Sequence, residues 1–100
     1  MENLAFLALR RQTRDIYYYT TPAGYEVDFY LPEQRQLIQV AQNLENPSTR
    51  EREVRALEDG IKGVHAMSAL ILTDANEEGI EINGVPVEIR SMAEWMIDHS

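Results

Sequence analysis

One hundred residues, 44% of them hydrophobic, suffice for one buried core and are too few for two domains. Seventeen acidic against nine basic residues give a formal net charge of -8, a field that repels phosphate backbones, so nucleic acid is not the expected partner. The absence of cysteine excludes disulfides, thiolate nucleophiles and thiolate zinc sites; together with an apolar stretch, Leu4 to Leu9, too short to span a bilayer and without basic residues before it, it leads us to expect a cytoplasmic protein.

From Glu2 to Gln12 the chain consists of good helix formers, with Glu2 at the positive end of the helix dipole and Arg10 and Arg11 at the negative end. Leu4, Ala5, Phe6, Leu7, Ala8 and Leu9 occupy nearly the whole circumference of that helix, more than one sheet face covers. Either another element of the domain packs there or the surplus is a patch for a partner. Asp15 to Thr20 is rich in strand formers, Thr21-Pro22-Ala23-Gly24 is a turn, and Tyr25 to Leu31 alternates. Strict alternation puts Tyr25, Val27, Phe29 and Leu31 on one face and Glu26, Asp28 and Tyr30 on the other. After Pro32, Gln36 to Gln42 reads as a third strand, with Ile38 and Val40 on one side and Leu37, Gln39 and Ala41 on the other. A tight hairpin centred near Glu33 and Gln34 then sets Asp28 opposite Gln39 and Glu26 opposite Ala41.

Asn46 to Glu51 opens a second helix, where Ser48 and Glu51 have capping-box spacing. Val54, Leu57, Ile61 and Val64 recur at three and four, and Glu51 with Arg55 and Glu58 with Lys62 are i,i+4 pairs on the wet side. Gly60 and Gly63 weaken the end of this helix. Ala69 to Thr73 reads as a buried strand, parallel to an earlier one through the helical crossover. Asn83-Gly84 joins Gly79–Ile82 to Val85–Ile89 as a two-residue hairpin, and Ser91 with Glu94 caps a short helix carrying Met92, Trp95 and Met96 to the core. The order is αβββαβ followed by ββα, an α/β domain with a mixed sheet over residues 1–100. No P-loop glycine pattern, Cys/His ligand spacing, Gly-x-Ser-x-Gly elbow or internal repeat occurs.

This order, with an acid in the second strand and a polar residue in the third, resembles the PD-(D/E)xK restriction-endonuclease-like superfamily. The words Glu2-Asn3-Leu4-Ala5-Phe6-Leu7, Gly24-Tyr25-Glu26-Val27-Asp28-Phe29, Leu37-Ile38-Gln39-Val40 and Thr49-Arg50-Glu51-Arg52-Glu53 look more specifically like the uncharacterised domain that follows the P-loop module in bacterial and archaeal AAA-type ATPases. The resemblance covers nearly the whole chain but not a Walker sequence, so ATP hydrolysis carries over to no residue here. It implies a restriction-endonuclease-like core in which Asp28 takes the first acid position, Gln39 the second, Ala41 the lysine position, and Glu2 an accessory acid on the first helix.

Metal-dependent phosphodiester cleavage needs carboxylates for a hard cation and usually a cationic side chain beside the phosphate. Gln39 offers a metal a carbonyl oxygen without charge, and Ala41 offers nothing. The only lysine, Lys62, falls on the wet side of the second helix, where Arg50, Arg52 and Arg55 could supply charge but are poor proton carriers. The chain is therefore read as a non-catalytic interaction or regulatory domain, with a P-loop ATPase module or another copy of itself as partner, no membrane and no cofactor. The alternatives are a Mg²⁺-dependent DNA nuclease using Glu2, Asp28 and Gln39, with Asp28 and Gln39 as metal ligands, and nucleic-acid binding without cleavage through Arg10, Arg11 and Arg14. Each feature also has a plainer reading: Glu26 and Asp28 as a solvated strand face, the five tyrosines as strand formers, His65 and His99 as surface or structural residues, and Trp95 as a core anchor.

Overall fold

The computed structural model describes residues 2–74 and 77–99. The elements run α1 (Glu2–Gln12), β1 (Tyr17–Thr20), β2 (Glu26–Leu31), β3 (Gln36–Val40), α2 (Pro47–Val64), β4 (Ser68–Thr73), β5 (Glu78–Ile82), β6 (Val85–Ser91) and α3 (Met92–Asp98). This is the order expected from the sequence, with strand ends differing by a few residues. The strands form one six-stranded mixed sheet in the order β1-β2-β3-β4-β6-β5. β3, β4 and β6 are parallel, and β1, β2 and β5 pair antiparallel at the flanks.

Each sheet face carries its own core. α2 covers one face, where Leu57 and Ile61 meet Val27, Leu37, Ala69, Ile71, Val87 and Ile89. α1 and α3 share the other, where Ala5, Ala8, Leu9, Met92 and Trp95 meet Phe29, Leu31, Ile38, Leu70 and Leu72. The parallel strand β4 is buried through nearly its whole length because both faces are covered, which is why its sequence Ser-Ala-Leu-Ile-Leu-Thr lacks alternation.

Val27 and Phe29 therefore belong to opposite faces, against the strict alternation expected for β2. The cause is a register shift against β1: Tyr17 pairs with Tyr30 but Tyr19 pairs with Val27, so Asp28 and Phe29 together oppose Tyr18. The extra residue is a β-bulge, which inverts the alternation for everything after it. Phe29, Leu31 and the rest of the ladder then pair with β3 in the hairpin register expected, Phe29 with Ile38 and Leu31 with Gln36.

Two further expectations change. Asn46, not Ser48, caps α2: its Oδ1 accepts from Ser48 N at 2.9 Å and Thr49 N at 3.3 Å, and Pro47, lacking an N–H, fills the first helical position. Glu51 and Arg55 close their i,i+4 pair at 2.6 Å, but Glu58 and Lys62 form no ion pair; Lys62 acts instead on the nearby Asp59 carboxylate. α2 runs through Gly60 and Gly63 to Val64 and stops with His65 in the left-handed region at φ 53°. Gly60 marks the closest approach of helix to sheet, since a Cβ there would lie 2.9 Å from Leu37 Cδ1 and 3.5 Å from Val27 Cγ2. The short connection Asn83-Gly84 has both residues at positive φ, as a type I′ hairpin turn requires.

The crowding at Gly60 sets two effects against each other. Gly60→Ala adds ~0.8–1 kcal/mol of helix propensity, but overpacking against the fully buried Leu37 costs ~1–3 kcal/mol. We expect a net loss of about 1 kcal/mol. Chemical denaturation checks this; a more stable variant would mean the helix lifts off the sheet without cost.

Candidate functional site

The bulge puts Asp28 at the level of the sheet, where it lines cavities on both faces. On the α2 side a cavity of about 390 Å³ is bounded by Asp28, Gln39, Arg52, Glu53 and Ala56. On the α1 side a cavity of about 290 Å³ is bounded by Asp28, Glu2, Phe6, Tyr18 and Phe29. A side chain in regular alternation would reach one face only; the extra residue re-aims this one.

β2 and β3 keep their ladder up to Phe29 and Ile38, and beyond that point side chains replace backbone. The Asp28 N–H donates to Gln39 Oε1 at 2.8 Å, Gln39 Nε2 donates to Glu26 O at 3.1 Å, and the Val40 N–H donates to Asp28 Oδ2 at 2.7 Å. The Gln39 amide thus behaves as an inserted peptide group, one end facing a donor and the other an acceptor. That pairing also fixes its orientation, because a flipped amide would set N–H against N–H and oxygen against oxygen. Gln39 is 3% exposed, so its amide could not be left unsatisfied without cost.

Glu53 completes the site and was not singled out in the sequence. It falls three and four residues before Ala56 and Leu57, both buried, and so lies on the sheet-facing stripe of α2; an acid on an otherwise apolar stripe was the available signal. Its side chain is 12% exposed, and Arg52 Nε stands 3.5 Å from Glu53 Oε1. Burial pushes the Glu53 carboxyl up from its ordinary value, and the Arg52 charge together with hydrogen bonds from Arg52 and Gln39 holds part of that rise back. Asp28 is pushed up to about 7, first by burial, then by a hydrogen bond with Glu2, with the Glu2 and Glu53 charges adding to the effect. The Val40 N–H opposes it. The net result favours the protonated, uncharged form of Asp28.

Of the residues picked out from sequence, Glu2, Asp28 and Gln39 are brought together and Glu26 joins them through its backbone oxygen. Ala41 is buried in the core on the α2 face and Lys62 is exposed in the last turn of α2, so neither supplies a cation here. The Arg10 guanidinium donates to Arg14 O, leaving that cluster on the surface at the far end of α1. His99 stacks on Trp95 with centroids 4.5 Å apart and Nδ1 2.8 Å from Trp95 O, and Trp95 itself is buried.

A hard divalent cation takes about six oxygen ligands. Among the described residues no group of three or more His, Cys, Asp and Glu side chains is arranged to hold one. The Gln39 oxygen already accepts from Asp28 N, and one Asp28 oxygen accepts from Val40 N. The donor set as it stands does not fit Mg²⁺.

Two outcomes test this arrangement. Gln39→Ala strands the part-buried Asp28 N–H and Glu26 carbonyl, and at ~1–3 kcal/mol for each unsatisfied group should cost ~2–6 kcal/mol in denaturant unfolding; an unchanged midpoint would mean water replaces the amide. For Asp28 the folded state holds a proton to about pH 7 while the unfolded carboxyl releases it near 3.8. The folded state binds more protons between those values, so this group's contribution is full below the lower one and is lost as pH rises to the upper one. Asp28→Asn keeps an acceptor for Val40 N and a donor for Glu2 without a charge. It should flatten the fall in stability over that window and raise the melting temperature at pH 8, and an unaltered profile would show that Asp28 titrates normally.

No family model matches the chain, and no curated protein or solved structure matches it either.

Proposed function

We propose that this chain is a non-catalytic interaction or regulatory domain of a AAA-type ATPase, built on a degenerate restriction-endonuclease-like fold and acting through a protein partner. The observation that carries this reading is the use of Gln39: at the position where the resemblance calls for a catalytic acid, an amide is spent at both ends on the backbone of β2. Two residues on, where a lysine is called for, Ala41 is packed in the core. Water activation and charge neutralisation at a phosphate both need groups that these two side chains do not have. Support for a protein partner comes from α1, whose Leu4 and Leu7 are more than half exposed. The net charge of -8 favours a basic or neutral partner over nucleic acid.

A second reading, a variant Mg²⁺-dependent nuclease, draws on one observation: a carboxyl titrating near neutrality in a cavity beside another acid is a pattern common at catalytic centres. The experiment that separates the two is incubation with single- and double-stranded DNA in millimolar Mg²⁺ or Mn²⁺. The expected outcome is no turnover, with Asp28→Ala and the unmodified chain alike. Cleavage abolished by Asp28→Ala and retained by Glu94→Ala, a surface change on α3, would overturn the non-catalytic reading.

A further inference from the structure

We propose that a cavity on the α1 and α3 side of the sheet binds a small organic amine with an aromatic body. The cavity measures about 600 Å³, within the ~300–1,000 Å³ usual for small-molecule sites, and Asp28 is not part of it. The inference goes beyond the interaction-domain reading and does not depend on it.

The sheet makes the floor. Phe29, Ile38, Leu70, Glu88 and Gly79 are register partners in one row across β2, β3, β4, β6 and β5. The next row on the same face holds Leu31, Gln36 and Ser68, with Pro86 two residues before Glu88. Along β3 and β4 this face therefore passes from Ile38 and Leu70, both buried, to Gln36 and Ser68, both half-buried. α1 and α3 cover the apolar end and leave the polar end open. The cavity stands over that end, walled by Leu9 and Gln12 on one side and by Trp95, with His99 stacked on it, on the other. A helix laid across it would have to satisfy the Gln36 amide and the Ser68 hydroxyl internally. Among the described residues the side chains of Gln12, Gln34, Gln36 and Ser68 make no hydrogen bond, so four neutral polar groups converge on the cavity uncommitted. Gly79 keeps the β5 side clear, since a Cβ there meets nothing within 4 Å.

The cavity and its uncommitted amides fix the place, and the neighbouring charges fix the sign of the ligand. Arg90 lines the cavity, but its Nη2 lies 2.5 Å from Asp98 Oδ2 and its Nε 3.7 Å from carboxylate oxygens of both Glu77 and Glu88. One guanidinium thus serves three carboxylates. A phosphate or carboxylate ligand would find that cation already engaged. An ammonium group would find the Glu88 carboxylate, held only loosely by Arg90, and the amide oxygens of Gln34 and Gln36 as acceptors. An aromatic body has its counterpart in Ile38, Leu70 and the Trp95 wall.

Three ligands of one shape and different charge test this: tyramine, its neutral alcohol tyrosol and the anion 4-hydroxyphenylacetate, each titrated into the chain at low salt and followed by heteronuclear NMR. Saturable shifts are expected at Gly79, Ser68 and the side-chain amides of Gln34 and Gln36. Tyramine should bind about fivefold more tightly than tyrosol, a modest factor because the Glu88 side chain is 62% exposed, and the anion should bind weakest. Glu88→Gln should erase the advantage of tyramine and leave tyrosol unchanged. Gly79→Leu, which places a side chain in the open space, should weaken tyramine and tyrosol about tenfold, with both variants keeping the dispersed spectrum of a folded chain. No saturable shift with tyramine at millimolar concentration, equal binding of the three ligands, a tyramine preference that survives Glu88→Gln, or binding indifferent to Gly79→Leu would each overturn the inference. None of these results bears on DNA cleavage, so the non-catalytic reading stands or falls by the nuclease assay alone.

Discussion

Between Val27 and Tyr30, β2 holds one residue more than its pairing with β1 accommodates, and most of the architecture follows from where that residue goes. The bulge turns Val27 toward α2 and Phe29 and Leu31 toward α1, so a single strand feeds both cores. A regular strand with the same residues would place all three on one face and leave the other short of apolar contacts. The bulge also costs ladder hydrogen bonds between β2 and β3, and a buried backbone cannot leave such groups unpaired. Gln39 and Asp28 supply the replacements with their side chains, which explains why a polar pair is retained in the middle of a sheet.

The electrostatic character of the site is a consequence of the same geometry. Asp28 is drawn into a half-buried position beside Glu2 and near Glu53, and Arg52 pairs with Glu53. Burial and the neighbouring carboxylates both favour the protonated form of Asp28. The hydrogen bonds of Gln39 and Asp28 stitch the bulged strand to β3.

The two faces of the sheet are unequally covered. The 18-residue α2 lies close on its face, helped by Gly60, and presents a charged outer side through Glu51, Arg52 and Arg55. The other face is shared by an 11-residue and a 7-residue helix, and α1 turns small residues, Ala5 and Ala8, to the sheet, while Phe6 stacks on Phe29 at its side and Leu4 and Leu7 are exposed. Small residues inward allow α1 to approach the sheet. No helix among the described residues is long and apolar enough to cross a membrane.

Sequence alone determined the features that depend on nearest neighbours and short periods. The three helices and six strands, the Asn83-Gly84 turn, the Ser91 cap and the parallel placement of β4 through the α2 crossover all follow from propensity, spacing and connection rules. The proximity of Asp28 and Gln39 followed too, because a tight hairpin leaves few registers. Tertiary structure decided the rest. The bulge was invisible because Tyr25 to Leu31 alternates without fault in its letters, and only the competing demands of two cores on one strand reveal the extra residue. The direction of the Gln39 amide, the entry of Glu53 from α2 and the outward side of α1 were likewise settled by packing, since each depends on groups brought together from elements far apart in the chain.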